Sequence, residues 1–321
     1  MYLLWARALF HALSRSTTLK RLTSRYGMAS GGGFARRFVA GQTIEETIEA
    51  VRALKRRGLH LTLDYLGESV GSIDAARAAA DQYVRLIAVI VEAGIERNLS
   101  LKLTQLGLEL DRDACEANLR VILDAAAPHG FFVRVDMESS AFTEATIDVF
   151  ERLWASGYRT IGLALQAYLR RTEADVRRMN ALGVQVRLVK GAYMEPAELA
   201  FERKADVDAS YERLMDLLLD KGTRPAIATH DEVLIERACA RARAHGIPPD
   251  RFEFEMLYGI RRDLQASLTA RGYRVRVYVP FGTQWYPYFM RRLGERPANL
   301  AFVVKSLLSD SGPADGPSAG R

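Results

Sequence analysis

The chain has 321 residues, 49% of them hydrophobic, and a formal net charge of +6. That is enough apolar material for one large core, while two cysteines, Cys115 and Cys239, each inside a helix-like stretch, exclude a disulfide framework and fit a reducing, cytoplasmic setting. Basic residues alternate with acids at helical spacing, as in Ala50–Arg57 and Arg237–Arg243, so they read as solvated helix faces rather than a nucleic-acid-binding stripe. The five histidines are dispersed and form no HExxH pattern, so no metal site is expected.

In chain order, Met1–Leu13 is apolar but lacks an early basic flank and a small-residue cleavage site. It reads as an amphipathic helix packed on the domain, with a peripheral membrane contact as the second reading. No run approaches the ~20 apolar residues of a spanning helix. Residues 1–45 form an N-terminal helical segment, interrupted at Gly31–Gly33, a triple glycine without the Gly-Lys-Ser/Thr of a phosphate loop. Thr43-Ile-Glu-Glu46 has the spacing of a capping box for a helix ending at Arg57, which Gly58 then stops.

Eight short apolar runs follow: Leu59–Leu66, Leu99–Leu103, Phe131–Met137, Ile161–Leu165, Val184–Val189, Ala226–Ala228, Phe252–Leu257 and Val275–Val277, the last stopping at Tyr278. Helix-like stretches separate or follow them, over about 73–97, 112–127, 143–156, 173–182, 206–221, 231–244, 260–271 and 286–295. This alternation predicts a distorted (βα)8 barrel of the TIM type with N-terminal helices, the barrel domain occupying residues 46–308. Residues 309–321, rich in Ser, Gly, Pro, Asp and Ala, read as a disordered tail.

Residues two apart on a strand share a face. By that count Thr62 and Asp64, Ser100 and Lys102, Arg134 and Asp136, Gln185 and Arg187, Glu253 and Glu255, and Arg276 and Tyr278 point inward, where a barrel is ordinarily packed with branched apolar side chains. A buried unpaired ion costs several kcal/mol. The inward charges must therefore pair with one another or meet a polar ligand at the C-terminal ends of the strands. Just after the last strand, Tyr288 lies three and four residues before Arg291 and Arg292, and paired guanidinium groups suit a carboxylate or phosphate.

Several strings make the pattern specific. Val186-Arg-Leu-Val-Lys-Gly-Ala-Tyr193, Ala228-Thr-His230, Phe252-Glu-Phe-Glu-Met-Leu-Tyr-Gly259, Tyr278-Val-Pro-Phe-Gly282, Tyr288-Phe-Met-Arg-Arg-Leu-Gly-Glu295, and Phe38-Val-Ala-Gly41 leading into Asp64-Tyr-Leu-Gly-Glu68 resemble proline dehydrogenase, of the stand-alone bacterial kind. The resemblance spans about residues 35–305. It implies a barrel that holds FAD non-covalently, oxidises L-proline to Δ1-pyrroline-5-carboxylate and passes electrons to a membrane quinone. It also fits the absence of a G-x-G-x-x-G after the first strand.

By resemblance, Arg291 and Arg292 grip the proline carboxylate, with Lys102 adding a third positive charge. Tyr278, Leu257, Tyr193 and Tyr288 wall the pyrrolidine ring. Arg187 sits beside the reactive flavin nitrogen, and Asp136 stands near the reacting centre and orders the basic residues. Met137, Gln166, Lys190, Gly191, Ala192, Thr229 and His230 line the FAD site. Glu68 matches an acid that gates the site by pairing with Arg291, and Glu295 a structural acid. Two features depart from the family pattern or stand out: Glu255 takes the place of a glutamine, and Trp285-Tyr286-Pro287 makes a short, stiff approach to the arginine pair. Two other readings stay open: a barrel lyase using Lys102 or Lys190 as a Schiff-base amine, and a non-enzymatic basic module on a membrane or RNA.

Overall fold

Eight parallel strands pair in sequence order and close, β8 against β1, into a barrel in this computed structural model, which describes Met28 and residues 34–295. The readings made for Met1–Leu13, Gly31–Gly33 and residues 309–321 lie outside the described residues. After a short 3-10 turn at Phe34–Arg37 the elements are α1 (Ile44–Arg56), β1 (His60–Tyr65), α2 (Ile73–Glu92), β2 (Asn98–Leu101), α3 (Arg112–Ala126), β3 (Phe132–Val135), α4 (Ser140–Ala155), β4 (Ile161–Gln166), α5 (Thr172–Leu182), β5 (Val186–Val189), α6 (Lys204–Lys221), β6 (Ala226–Ala228), α7 (Glu232–Ala244), β7 (Glu253–Leu257), α8 (Arg262–Ala270), β8 (Val275–Phe281) and α9 (Trp285–Glu295). Every strand read from the sequence is present.

The outward side chains make the core. Leu61, Leu63, Val133, Val135, Leu163, Leu165, Val186, Leu188, Phe254, Val277 and Val279 are all buried against the helices. On α2 the facing stripe is Ala76, Ala80, Tyr83, Ile87 and Ile90, spaced by three and four residues as one helix face requires. Each such large apolar side chain contributes about 1.5–3 kcal/mol. Thr43 caps α1, its hydroxyl accepting the Glu46 N–H at 3.4 Å. Glu46 reaches back one residue further than a capping box does, taking the Gln42 N–H at 3.1 Å.

Two boundaries differ from the sequence reading, each for a physical reason. The helix expected over 73–97 ends at Glu92, because Gly94 adopts φ +63 and turns the chain. That turn brings Glu96 under the barrel, where its carboxylate accepts the Leu61 N–H at 2.9 Å and a guanidinium N–H of Arg276 at 2.8 Å. Strand β8 does not stop at Tyr278 but runs to Phe281. It pairs with all six residues of β1, from His60↔Arg276 to Tyr65↔Phe281, and Pro280, which would argue against a strand, lies opposite Asp64. Its carbonyl accepts the Ala40 N–H at 2.9 Å and so fastens the N-terminal segment along the seam.

The inward charges divide into two levels, a correction to their expected common place near the strand C-termini. Glu253 and Arg276 open β7 and β8 and belong to the floor. Arg276 Nε donates to Glu253 at 2.8 Å and its NH1 to the Leu61 carbonyl at 2.6 Å, while Arg274 Nε donates to Glu253 at 3.0 Å. A cavity of about 490 Å³ lies here, lined by Arg97, Arg134, Arg274, Arg276, Glu96 and Glu253 among others. Four of its arginines are taken up by carboxylates and by carbonyls: Arg276 and Arg274 meet Glu253, Arg97 the His129 carbonyl at 2.6 Å and Arg134 that of Gln185 at 2.6 Å. The floor is a structural network.

Burial alone would raise Glu96, but hydrogen bonds from His60 and Arg276 and the Arg276 charge outweigh it and hold the acid at about 2, below its ordinary 4.5. A depressed carboxylate stabilises the fold above its unfolded value and loses that contribution as pH falls toward its folded value. Glu96→Gln is therefore expected to cost about 1–3 kcal/mol at pH 7, with the deficit shrinking as pH falls from 4.5 toward 2. Urea titrations at neutral and acid pH check this, and a pH-independent deficit would show that the Glu96 charge is not what matters.

Candidate active site

The upper level gathers residues from the C-terminal ends of β1, β2, β3, β5 and β8. Asp136 follows β3 directly and is its hub. One oxygen accepts Arg187 NH1 at 2.7 Å and the other accepts the Tyr278 hydroxyl at 2.7 Å. The ammonium of Lys102, one residue past β2, is 3.6 Å from Asp136, 3.3 Å from Asp64 and 3.5 Å from the Tyr278 hydroxyl. Arg187 also donates to Ser100 Oγ at 3.1 Å, its Nε lies 2.5 Å from Glu255, and its guanidinium faces the Tyr278 ring at 5.3 Å.

Electrostatics fix the charge states of these groups. Burial works against the Lys102 ammonium, but Asp64 and Asp136 overcome it and raise its pKa well above the lysine range. Burial likewise opposes Arg187, and Glu255 and Asp136 keep it charged. Burial, then the charges of Asp136 and Asp64, push the Tyr278 phenol up, so it stays protonated and donates to Asp136. The result is two fixed cations and a fixed hydroxyl donor set around one carboxylate, in a place nearly closed to water.

Above them, at the mouth, Arg291 on α9 donates both terminal nitrogens to the two oxygens of Glu68, one of them at 3.0 Å. Burial opposes the Arg291 charge and Glu68 restores it. The Arg292 guanidinium lies 5.0 Å from the Tyr288 ring centre, and Tyr288 and Leu257 share an apolar cluster. Burial and the charges of Glu68 and Glu138 push the half-buried Tyr193 phenol up. Trp285 and Tyr286 are buried in that same apolar cluster, together with Phe38 and Phe289. The side chain of Glu295 lies outside the described residues.

On the opposite side of the barrel, Gln166 Nε2 donates to the Met137 carbonyl at 3.3 Å, and its Oε1 is buried without a hydrogen-bond partner. Lys190 is held by Asp208 at 2.5 Å and Asp231 at 2.9 Å. Thr229 takes the Asp231 N–H at 3.1 Å, and His230 Nε2 accepts the Leu257 N–H at 2.9 Å. Gly191 has φ +111, and a Cβ there would meet the Tyr168 ring at 2.2 Å, so only glycine lets the backbone approach so closely. Ala192 beside it is exposed. All of these residues lie at or just beyond the C-terminal ends of β3 to β6, together with Lys102, Asp136 and Arg187 around one end of the barrel.

Sequence reasoning missed several participants. Asp208 comes from the second turn of α6 with no local signal. Asp231 follows the Thr229-His230 pair and doubles as the N-cap of α7, which was visible as an Asp before a helix. Glu138 and Thr104 lie one and two residues past named site residues, Met137 and Lys102, and are buried. Among the described residues no group of three or more His, Cys, Asp or Glu is arranged to hold a metal, and no helix is long and apolar enough to cross a membrane.

A closed eight-stranded barrel with a charged, polar cluster at the strand C-termini defines an enzyme of the TIM-barrel class. A family profile described as Proline dehydrogenase matches residues 47–305. Proline dehydrogenase 1 of Bacillus subtilis (strain 168) is 43% identical over 302 residues, 94% of this chain and 99% of that protein. The proline dehydrogenase of Deinococcus radiodurans is 44% identical over 278 residues, 85% of this chain and 90% of its own. Among solved structures, proline utilization A from Bdellovibrio bacteriovorus, inactivated by N-propargylglycine, superposes with a TM-score of 0.78 at 26% identity, covering 88% of this chain and 34% of that longer one. The chain belongs to the proline dehydrogenase family, and it is an enzyme of that type, at the first step of proline catabolism.

Asp136→Asn keeps an acceptor for Tyr278 but removes the charge between Lys102 and Arg187. It is expected to lower kcat/KM for proline at least about tenfold, the effect of ~1.4 kcal/mol, while the protein stays folded. Steady-state kinetics beside a thermal melt check this. Undiminished kcat/KM would mean the two cations need no shared counter-ion.

Proposed function

We propose that the barrel mouth binds FAD non-covalently and oxidises L-proline to Δ1-pyrroline-5-carboxylate, with electrons passing to a membrane quinone. The observation that carries this is the Lys102–Asp136–Arg187–Tyr278 cluster beneath the Arg291–Glu68 pair: fixed cations for an anionic substrate and an electron-rich cofactor, next to an aromatic wall. The other rim fits a flavin nucleotide. It offers an unused buried acceptor on Gln166, a backbone cradle at Gly191 and Ala192, and polar groups on Lys190, Thr229 and His230, with Met137 alongside. FAD supplies the acceptance of a hydride.

Proline loses that hydride from the ring carbon beside its nitrogen and a proton from the nitrogen itself, which leaves a C=N bond. The protein's task is to hold the ring still and neutral at nitrogen. Arg291 and Arg292 offer bidentate donors to the carboxylate, and Lys102 adds charge at close range. Clustered cations disfavour the protonated amine and so favour its reactive form. Tyr278, Leu257, Tyr193 and Tyr288 exclude water from the ring and orient it. Arg187 is a cation whose direction Asp136, Ser100 and Glu255 fix beforehand, so it stabilises developing negative charge without reorganising. Glu68 acts as the gate, because it occupies the donors on Arg291 that a substrate carboxylate takes.

The Schiff-base reading fares worse. Such a lysine must be a neutral amine to attack a carbonyl, yet Lys102 and Lys190 each lie against two carboxylates. Delivery to a quinone would place the working enzyme at the cytoplasmic face of the membrane as a peripheral protein, with no nucleic-acid partner.

Purified protein is expected to show the visible flavin band, and L-proline is expected to bleach it under anaerobic conditions. A colourless protein that oxidises proline without added flavin would overturn the reading. Arg291→Lys and Arg292→Lys should each raise the proline KM about tenfold, since a point charge replaces a fork. An unchanged KM in both would remove the carboxylate from the guanidinium pair.

A further inference from the structure

The loops that follow β1, β2 and β3 are joined by one short hydrogen-bonded chain. Glu138, just beyond β3, is buried at 6% exposure. Its Oε1 accepts the Thr104 hydroxyl at 3.1 Å, and the same hydroxyl oxygen accepts the Ser69 N–H at 3.1 Å. Ser69 has φ +38, a left-handed conformation that a non-glycine residue keeps only when its surroundings impose it. Its own hydroxyl is tied to Glu109 at 2.7 Å. The residue before it is Glu68, which meets Arg291 with both oxygens.

The polarity of the chain matters. A hydroxyl has a single proton, and an ionised carboxylate can only accept. Facing an ionised Glu138, Thr104 gives its proton there, and facing either form of the acid its oxygen keeps a lone pair for the Ser69 N–H. A side chain at 104 without a hydroxyl would leave both ends unmade: a buried acid without its donor, and a left-handed Ser69 without the bond that holds it. The acid and the gate also sense each other electrostatically. Burial, with the Glu68 charge adding to it, outweighs the pull of Thr104 and Lys102 and holds Glu138 at about 7, above its ordinary 4.5.

We propose that Thr104 and Glu138 are positioning residues for proline oxidation, which set Glu68 opposite Arg291 through the backbone of Ser69. They touch neither substrate nor cofactor; they fix the direction from which the Glu68 carboxylate addresses the guanidinium that receives the substrate. The proposal rests on the reading of Glu68 as the gate and adds the mechanism that aims it.

A double-mutant cycle on the flavin-loaded enzyme tests it. Thr104→Val is expected to shift the proline KM about threefold or more, in the same direction as Glu68→Ala and with a smaller effect on kcat. In a Glu68→Ala background it should cause no further shift. Thr104→Ser, which keeps the hydroxyl, should restore the wild-type KM, and thermal melts of all variants separate misfolding from misplacement. If Glu68→Ala shifts KM while Thr104→Val does not, or if the two effects simply multiply, the positioning role is wrong and the gate reading survives. If Glu68→Ala leaves KM unchanged, the gate reading and this proposal fall together. Loss of Thr104→Ser activity equal to that of Thr104→Val would show that the site demands shape rather than a hydroxyl, and would also overturn the proposal.

Discussion

Asp136 is the constraint on which the upper half of this barrel depends. Two cations, Lys102 and Arg187, are buried within reach of the same carboxylate, which they share while each also meets an acid of its own, Asp64 for Lys102 and Glu255 for Arg187. By accepting from Arg187 on one oxygen and Tyr278 on the other, Asp136 also fixes where the guanidinium and the phenol point. Four strands far apart in sequence, β2, β3, β5 and β8, thus hold one arrangement. The cost of drying these ions is offset by their mutual attraction, and what results is a surface already arranged for an anionic, planar or zwitterionic ligand.

The same economy of pairing explains why the two ends of the barrel behave differently. At the floor, Arg276 meets Glu253, Glu96 and the Leu61 carbonyl, and Arg97 and Arg134 each meet a backbone carbonyl. This pairing ties the strand starts together and closes the barrel below. At the mouth, Arg291 is paired with Glu68, which is less buried than the carboxylates of the floor. Glu255 lies between the levels, 2.5 Å from Arg187 and 4.0 Å from both Arg134 and Arg276. A glutamine in its place could not balance three arginines, so the acid at this position is electrostatically consistent with the cations around it.

The fold was legible because its signal is redundant: eight apolar runs of period two alternate with helical stretches, and a misjudged end does not change the topology. The ends themselves were less legible. Gly94 cut α2 short by a backbone conformation that no apolar pattern announces, and Pro280 disguised the last turn of β8 although the seam with β1 accommodates it. Inward direction could be read by counting in twos along each strand. Level along the axis could not, because it depends on the stagger between strands: Arg276 faces inward as Tyr278 does, yet only Tyr278 reaches the mouth. Partners supplied by helices, Asp208 for Lys190 above all, left no local trace.

The arrangement also says why a gate would be built from a glutamate and an arginine rather than from an apolar lid. Arg291 is half-buried, so leaving it without an anion would carry a desolvation cost that a paired carboxylate removes. Glu68 removes that cost in the absence of ligand, and a carboxylate substrate removes it equally well when present. Exchange of one carboxylate for another therefore changes the net charge of the mouth very little. The pair can open without a large penalty only if Glu68 returns to the same direction each time. On the proposed reading, that return would depend on the backbone at Ser69, and hence on Thr104 and Glu138, which lie outside the pocket.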